Sequence, residues 1–163
     1  WNPPRARRVF TAMVVGVVAL GSVGGAFITL RAWRSEMDLR VAVTAGLEDA
    51  PSVDRVMSPD AGAYRYVAGR AGIVTPDDPL PVIEQALRVY GIRWLVLERD
   101  HLVPALIPVL RGEIRPDWLS EPILVVPAAP DATAGRAADA SPLPRAVLHA
   151  VCLEPSDMRC GTP

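Results

Sequence analysis

From Val9 to Leu30 the chain reads VFTAMVVGVVALGSVGGAFITL, about 22 residues with neither a charge nor a polar stripe. As a helix it is long enough to cross a hydrocarbon core of roughly 30 Å. Arg5, Arg7 and Arg8 precede it and Arg31 and Arg34 follow, with Trp1 and Trp33 placed as interfacial anchors. The pattern predicts a transmembrane helix within residues 1–31. A cleaved signal peptide is the rival reading. Its apolar core should span only about 7–15 residues and lead directly to a small-residue cleavage site. Here Arg31, Trp33 and Arg34 stand where cleavage should fall, and the candidate site around Val43-Thr44-Ala45 lies too far downstream. Gly21 and Gly25 form a GxxxG, with Ala12 and Gly16 at the same spacing one face away. Such small residues let a second helix approach, in a bundle or in a dimer of single spans.

Beyond the span the period changes. Residues 32–52 read as a short amphipathic helix and linker, with Met37, Val41 and Ala45 or Leu47 on the apolar side. Residues 53–126 then alternate between strand and helix patterns. Val53 to Met57 reads as a strand, followed by a helix capped by Ser58 with Pro59 in its first turn and stopped at Gly69. Ala71 to Thr75 reads as a second strand, and Pro76-Asp77-Asp78-Pro79 opens a second helix. That helix carries Leu80, Ile83, Leu87 and Tyr90 on one face and ends at Gly91. Ile92 to Leu97, IRWLVL, is an almost unbroken apolar run, the signature of a strand buried on both faces. Leu102 to Leu110 is expected to be a third helix, shortened or kinked by Pro104 and Pro108. Ile123 to Val126 and Val147 to Leu153 complete the strands. Residues 127–145, rich in Ala, Pro and Asp, form a loop or linker, and residues 146–163 hold the last strand and a cysteine-containing tail.

Alternating elements with short connections predict a parallel sheet with helices on its faces. The chain is therefore expected to be α/β: one N-terminal transmembrane helix, then a small extracytoplasmic domain with a mostly parallel sheet flanked by helices. The side of the membrane rests on Cys152 and Cys160, because the arginine counts at the two flanks nearly tie. The two cysteines are the candidate disulfide, which persists only in an oxidising compartment; two unpaired thiols in a loop are the other reading.

Of the 163 residues, 17 are basic, 18 are acidic, and every basic one is arginine. A net charge of −1 gives no sign of a nucleic-acid partner. The absence of lysine excludes Schiff-base and P-loop lysine chemistry from this segment. The Arg, Ala, Val and Pro usage suits a GC-rich genome. A start at Trp1 rather than at a methionine suggests a piece of a longer protein.

Candidate chemistry gathers where ligands bind in open α/β sheets, beyond the carboxyl ends of the strands. Ser58, Asp60, Pro76 to Asp78, Glu98, Arg99, Asp100 and His101 fall there. A carboxylate pair beside a histidine can do acid–base work, but Ser58, Asp77 or Asp78, and Asp100 also stand at expected helix N-caps. Capping is the favoured reading, and no catalytic residue is assigned. Neither His101 nor His149 has a ligand cluster around it, so no metal site is expected. Gly69-Arg70-Ala71-Gly72 lacks the dinucleotide-binding spacing, and no cofactor is expected. Arg65 and Arg70, with Tyr64 and Tyr66, could face an anionic headgroup or a solvated helix surface.

One combination resembles a known family. A terminal span followed by DRVMSPDAGAYRYVAGRAGIVTPDDPL and VYGIRWLVLERD is similar to the C-terminal end of bacterial multi-pass glycosyltransferases of the GT-C type, relatives of the dolichyl-phosphate-mannose–protein mannosyltransferases. The likeness rests on Val56 to Asp60, Tyr64 to Arg70, Pro76 to Pro79, Tyr90-Gly91, Trp94 to Leu97, Arg115 to Leu119 and the Cys152/Cys160 tail. The resemblance implies a bacterial membrane enzyme that passes sugar from a polyprenyl-phosphate carrier to an acceptor at the outer face. In that family the catalytic carboxylate sits in the first extracytoplasmic loop, upstream of anything in this chain. The partners implied are the bilayer, the other transmembrane helices of the parent chain and the lipid-linked sugar. The competing expectation is a single-pass anchor carrying an α/β sensor or interaction domain without catalysis.

Overall fold

The computed structural model describes residues 3–128 and 143–154. The chain divides into two compact units, Trp1–Asp38 and Leu39–Pro163. Helix α1, Pro3–Ala45, supplies the helical part of the first unit, and its last turns, from Leu39 onward, are counted with the second. Along the first unit the helix exposes its large apolar side chains all round, among them Phe10, Val15, Leu20, Phe27 and Ile28. It is long and apolar enough to span a membrane. The glycines of the small-residue stripe, Gly16, Gly21 and Gly25, face open space.

The segment expected as a separate amphipathic helix is continuous with the span. Its buried face also differs from the expected one. Leu39, Val43 and Leu47, at i, i+4 and i+8, are buried, whereas Val41 is 54% exposed.

The second unit is built on one five-stranded sheet. Its strands are β1 (Arg55–Ser58), β2 (Gly72–Val74), β3 (Ile92–Glu98), β4 (Leu119–Val126) and β5 (Ala146–Val151), in the order β2-β1-β3-β5-β4. β2, β1 and β3 run parallel; β5 is antiparallel to β3, and β4 is antiparallel to β5. The sheet is mixed, which corrects the expectation of a mostly parallel one. The reason lies in the connections. Parallel neighbours need a crossover, usually helical, and α2 (Ala61–Ala68) and α3 (Leu80–Tyr90) provide the two that β1, β2 and β3 require. After β3 the prolines shorten the expected third helix to 3₁₀ turns at Arg99–His101 and Pro104–Leu106 and a four-residue α4, Ile107–Leu110. Yet β4 still runs in the direction of β3; the reversed strand is β5, which enters between them antiparallel to both.

Local chemistry sets the element ends. α2 begins at Ala61 and is capped by Asp60, whose Oδ1 accepts from the Ala63 N–H at 2.9 Å. Ser58 instead ends β1, so the predicted cap lies two residues too early. α3 starts after Pro79 without a side-chain cap, leaving Asp77 and Asp78 exposed in the preceding turn. It stops at Gly91, whose φ of 60° favours glycine. At Gly72 a side chain is barred for another reason: an added Cβ would lie 2.3 Å from the Val56 carbonyl oxygen on the neighbouring strand.

Strand alternation divides the core between two faces. Leu95 and Leu97 of β3, with Met57 and Val147, pack against Ile83 and Leu87 of α3 and against Leu106, Val109 and Leu110. Trp94 and Val96, with Val56, Leu148 and Ala150, pack against Leu39, Val43 and Leu47 and against Tyr64 of α2. Each such buried aliphatic side chain contributes about 1.5–3 kcal/mol. The end of α1 is thus part of the domain's core.

Candidate functional site at the carboxyl edge of the sheet

On the face covered by α1 and α2, strand alternation also aims Ser58 of β1 and Glu98 of β3 the same way as Val56 and Val96. Both residues end their strands at the carboxyl edge, and both are fully buried. Glu98, only 1% exposed, meets two partners. The Tyr64 hydroxyl donates to its Oε1 at 2.9 Å. Arg40, 6% exposed and carried by the last turns of α1, brings its Nε to 3.6 Å from the same oxygen. The other side of the guanidinium reaches Asp60, with Nη2 and Oδ2 3.2 Å apart. Asp60 therefore caps α2 with one oxygen and meets Arg40 with the other.

Burial, the Glu98 charge and the hydrogen bond to it drive the Tyr64 pKa well above the ordinary phenol value of 10.0, with Arg40 opposing. The hydroxyl stays protonated and remains a donor. Ser58 Oγ, and Thr75 Oγ1 just beyond β2, are buried with no hydrogen-bond partner among the described residues. At the edge a guanidinium offsets the charge of the buried carboxylate and a phenol donates to it, while Ser58 and Thr75 stand outside this network.

Several singled-out residues lie elsewhere. Arg99 pairs with Asp100 at 3.0 Å and donates to the Leu143 carbonyl, so these two form a local contact in the 3₁₀ turn rather than a helix cap. His101, on the same turn, is exposed. Arg70 is buried and holds the loop after α1: Nη2 donates to the carbonyls of Leu47 at 2.6 Å and Ala50 at 2.8 Å, and Nη1 donates to that of Pro51. With Tyr64 turned to Glu98, only Arg65 and Tyr66 of the suggested headgroup-facing set are exposed, and Arg65 donates to the Gly69 carbonyl.

His149 is buried on β5, with Nδ1 2.9 Å from the Ser120 carbonyl oxygen, which fixes Nδ1 as the donor. Burial lowers its pKa below 6.5; the bond to Ser120 opposes this and the Arg115 charge adds to it. Among the described residues no group of three or more His, Cys, Asp or Glu side chains could hold a metal. Cys152 donates its backbone N–H to the Trp118 carbonyl and its sulfur is disulfide-bonded. Cys160, the expected partner, lies outside the described residues.

Arg40 was not among the residues the sequence pointed to. The available signal was the i, i+4, i+8 row of Leu39, Val43 and Leu47, which places position 40 beside a buried stripe. Comparison with protein-family models, with curated proteins and with solved structures finds no match to this chain.

Proposed function

We propose that this chain is the C-terminal anchor and accessory domain of a multi-pass bacterial membrane glycosyltransferase, one that takes sugar from a polyprenyl-phosphate donor and delivers it to an extracytoplasmic acceptor. The observation that carries the reading is a span-length helix whose last turns are built into the core of a small α/β domain. The segments behind the family resemblance occupy structural joints. Val56 to Asp60 make β1 and the α2 cap, Tyr64 to Arg70 hold Glu98 and the loop after α1, and Trp94 to Leu97 fill both faces of the sheet. A disulfide at Cys152 favours the oxidising, extracytoplasmic side. The carboxylates of the edge are engaged by Arg40, Tyr64 and the α2 N-terminus, which suits a structural or acceptor-positioning role with catalysis elsewhere in the parent chain.

The test is sugar transfer by the whole parent protein in membrane vesicles, with and without residues 54–163. A fall in turnover or in acceptor saturation is expected on deletion. Unchanged turnover and unchanged acceptor dependence would refute a part in the reaction. Sidedness is tested separately by fusing alkaline phosphatase after Glu154: activity outside the cytoplasm is expected, and an inactive fusion at normal abundance would contradict the placement.

A further inference from the structure

We infer that Arg40 is a positioning residue that sets the register of α1 on the sheet, so that the helix end docks at one turn and at no other. Two ties hold the end of α1 besides its apolar row. Arg70 grips the carbonyls of Leu47, Ala50 and Pro51, but every residue offers a carbonyl, so this grip carries no register. The apolar row is nearly as indifferent. After a slide of one turn, about 5.4 Å, Leu39 and Val43 would occupy the places now held by Val43 and Leu47.

Packing adds one mark of its own, since the slide puts Ala42 in the place of Gly46, where a Cβ would meet the flexible end of Leu148, Cδ2, at 2.8 Å. The charge at position 40 distinguishes the turns more sharply. In the slid helix Glu36 would stand where Arg40 stands, against the buried Glu98 and near Asp60. Like charges in a desolvated site are strongly unfavourable, and Glu98 would lose its counter-ion as well. The opposite slide brings the uncharged Thr44 to Glu98 and Asp60 and leaves both carboxylates without their cation. A buried ion pair of modest net stabilisation can thus select one docking, the role best attested for such pairs.

Disulfide trapping in the full 163-residue chain in detergent micelles tests this. An ideal Cβ at Gly46 lies 3.3 Å from Leu124 Cβ, close to the roughly 3.5–4.5 Å of a disulfide. G46C/L124C therefore reports the native turn, and A42C/L124C reports the helix slid by one. In the otherwise native chain, the 46–124 link should form and the 42–124 link should stay at background. In R40M/E98Q, with circular dichroism showing a folded chain, the 42–124 link should rise to a yield comparable with the other. An R40M/E98Q chain that cross-links only through 46–124 overturns the proposal, because packing alone would then hold the register. Should R40M/E98Q fail to fold, E36R decides the matter by the same two links. It leaves Arg40, Asp60 and Glu98 intact and gives the slid helix a cation of its own at the place of Arg40. A 42–124 link above background in E36R supports the key, and its absence overturns it.

Discussion

The two faces of the sheet solve the same burial problem differently. The face under α3 and α4 buries Leu95, Leu97, Ile83, Leu87 and Leu106 fully, and its buried ionisable side chain, His149 opposite Leu95, is held neutral. The face under α1 and α2 buries comparable aliphatic groups but adds Arg40, Glu98 and Tyr64 at its carboxyl edge. An apolar face tolerates many packings of similar volume. A buried charge tolerates few, because each alternative strands it. Close packing thus accounts for one face, and polar selectivity marks the face where the membrane-length helix joins the domain.

Substitutions on either face test this difference, with Trp94 and Trp118, both buried, as fluorescent reporters of denaturation. The largest effect is expected from Arg40→Met alone, which leaves Glu98 buried beside Tyr64 without its cation. A loss of about 3–5 kcal/mol is expected, and a loss below about 1 kcal/mol would mean that the pair is solvated in solution. On the apolar face, Leu87→Ala should cost about 3 kcal/mol through lost burial and a residual cavity. Combined with Arg40→Met, it should add, since the two residues lie on opposite faces and share no partner. Tyr64→Phe removes one donor to a charged acceptor and should cost about 2 kcal/mol.

The smallest effect should appear with pH. His149 is held neutral by burial, so its folded pKa lies below 6.5. Between the folded value and 6.5 the unfolded chain binds more protons. Its contribution is therefore complete above pH 6.5 and declines as pH falls below that point, by at most about 1.4 kcal/mol per pH unit. Denaturation midpoints at pH 7.5 and 5.5, in the native chain and in His149→Gln, measure the His149 share. An identical pH dependence in both would assign the effect to other groups.

Much of the fold was legible because some patterns admit few alternatives. The uncharged run from Val9 to Leu30 is long enough to read as one continuous helix of membrane-spanning length, and it lies within α1. Leu80, Ile83 and Leu87 keep helical period between Pro79 and Gly91, and IRWLVL is apolar on both alternating faces. Strand direction was not legible, because the apolar sequences of β4 and β5 carry no sign of parallel or antiparallel pairing. The reversal lies at β5, which pairs antiparallel with both β3 and β4, while β4 keeps the direction of β3 although Pro104 and Pro108 shorten the helix between them to short turns. At the edge, Asp60 and Glu98 were placed correctly by chain position. Their partner was missed because Arg40 belongs to a helix whose two candidate faces, Met37–Val41–Ala45 and Leu39–Val43–Leu47, have similar apolar content. Only the sheet beneath decides between them.

The proposal that this domain ends a polyprenyl-phosphate-dependent transferase is tested first by reading the coding sequence upstream of Trp1. Hundreds of further residues with about ten or more apolar spans and an acidic residue pair in the first outer loop are expected. A start codon immediately before this segment would contradict it, leaving a single-pass anchor with an α/β domain whose partner is then the question.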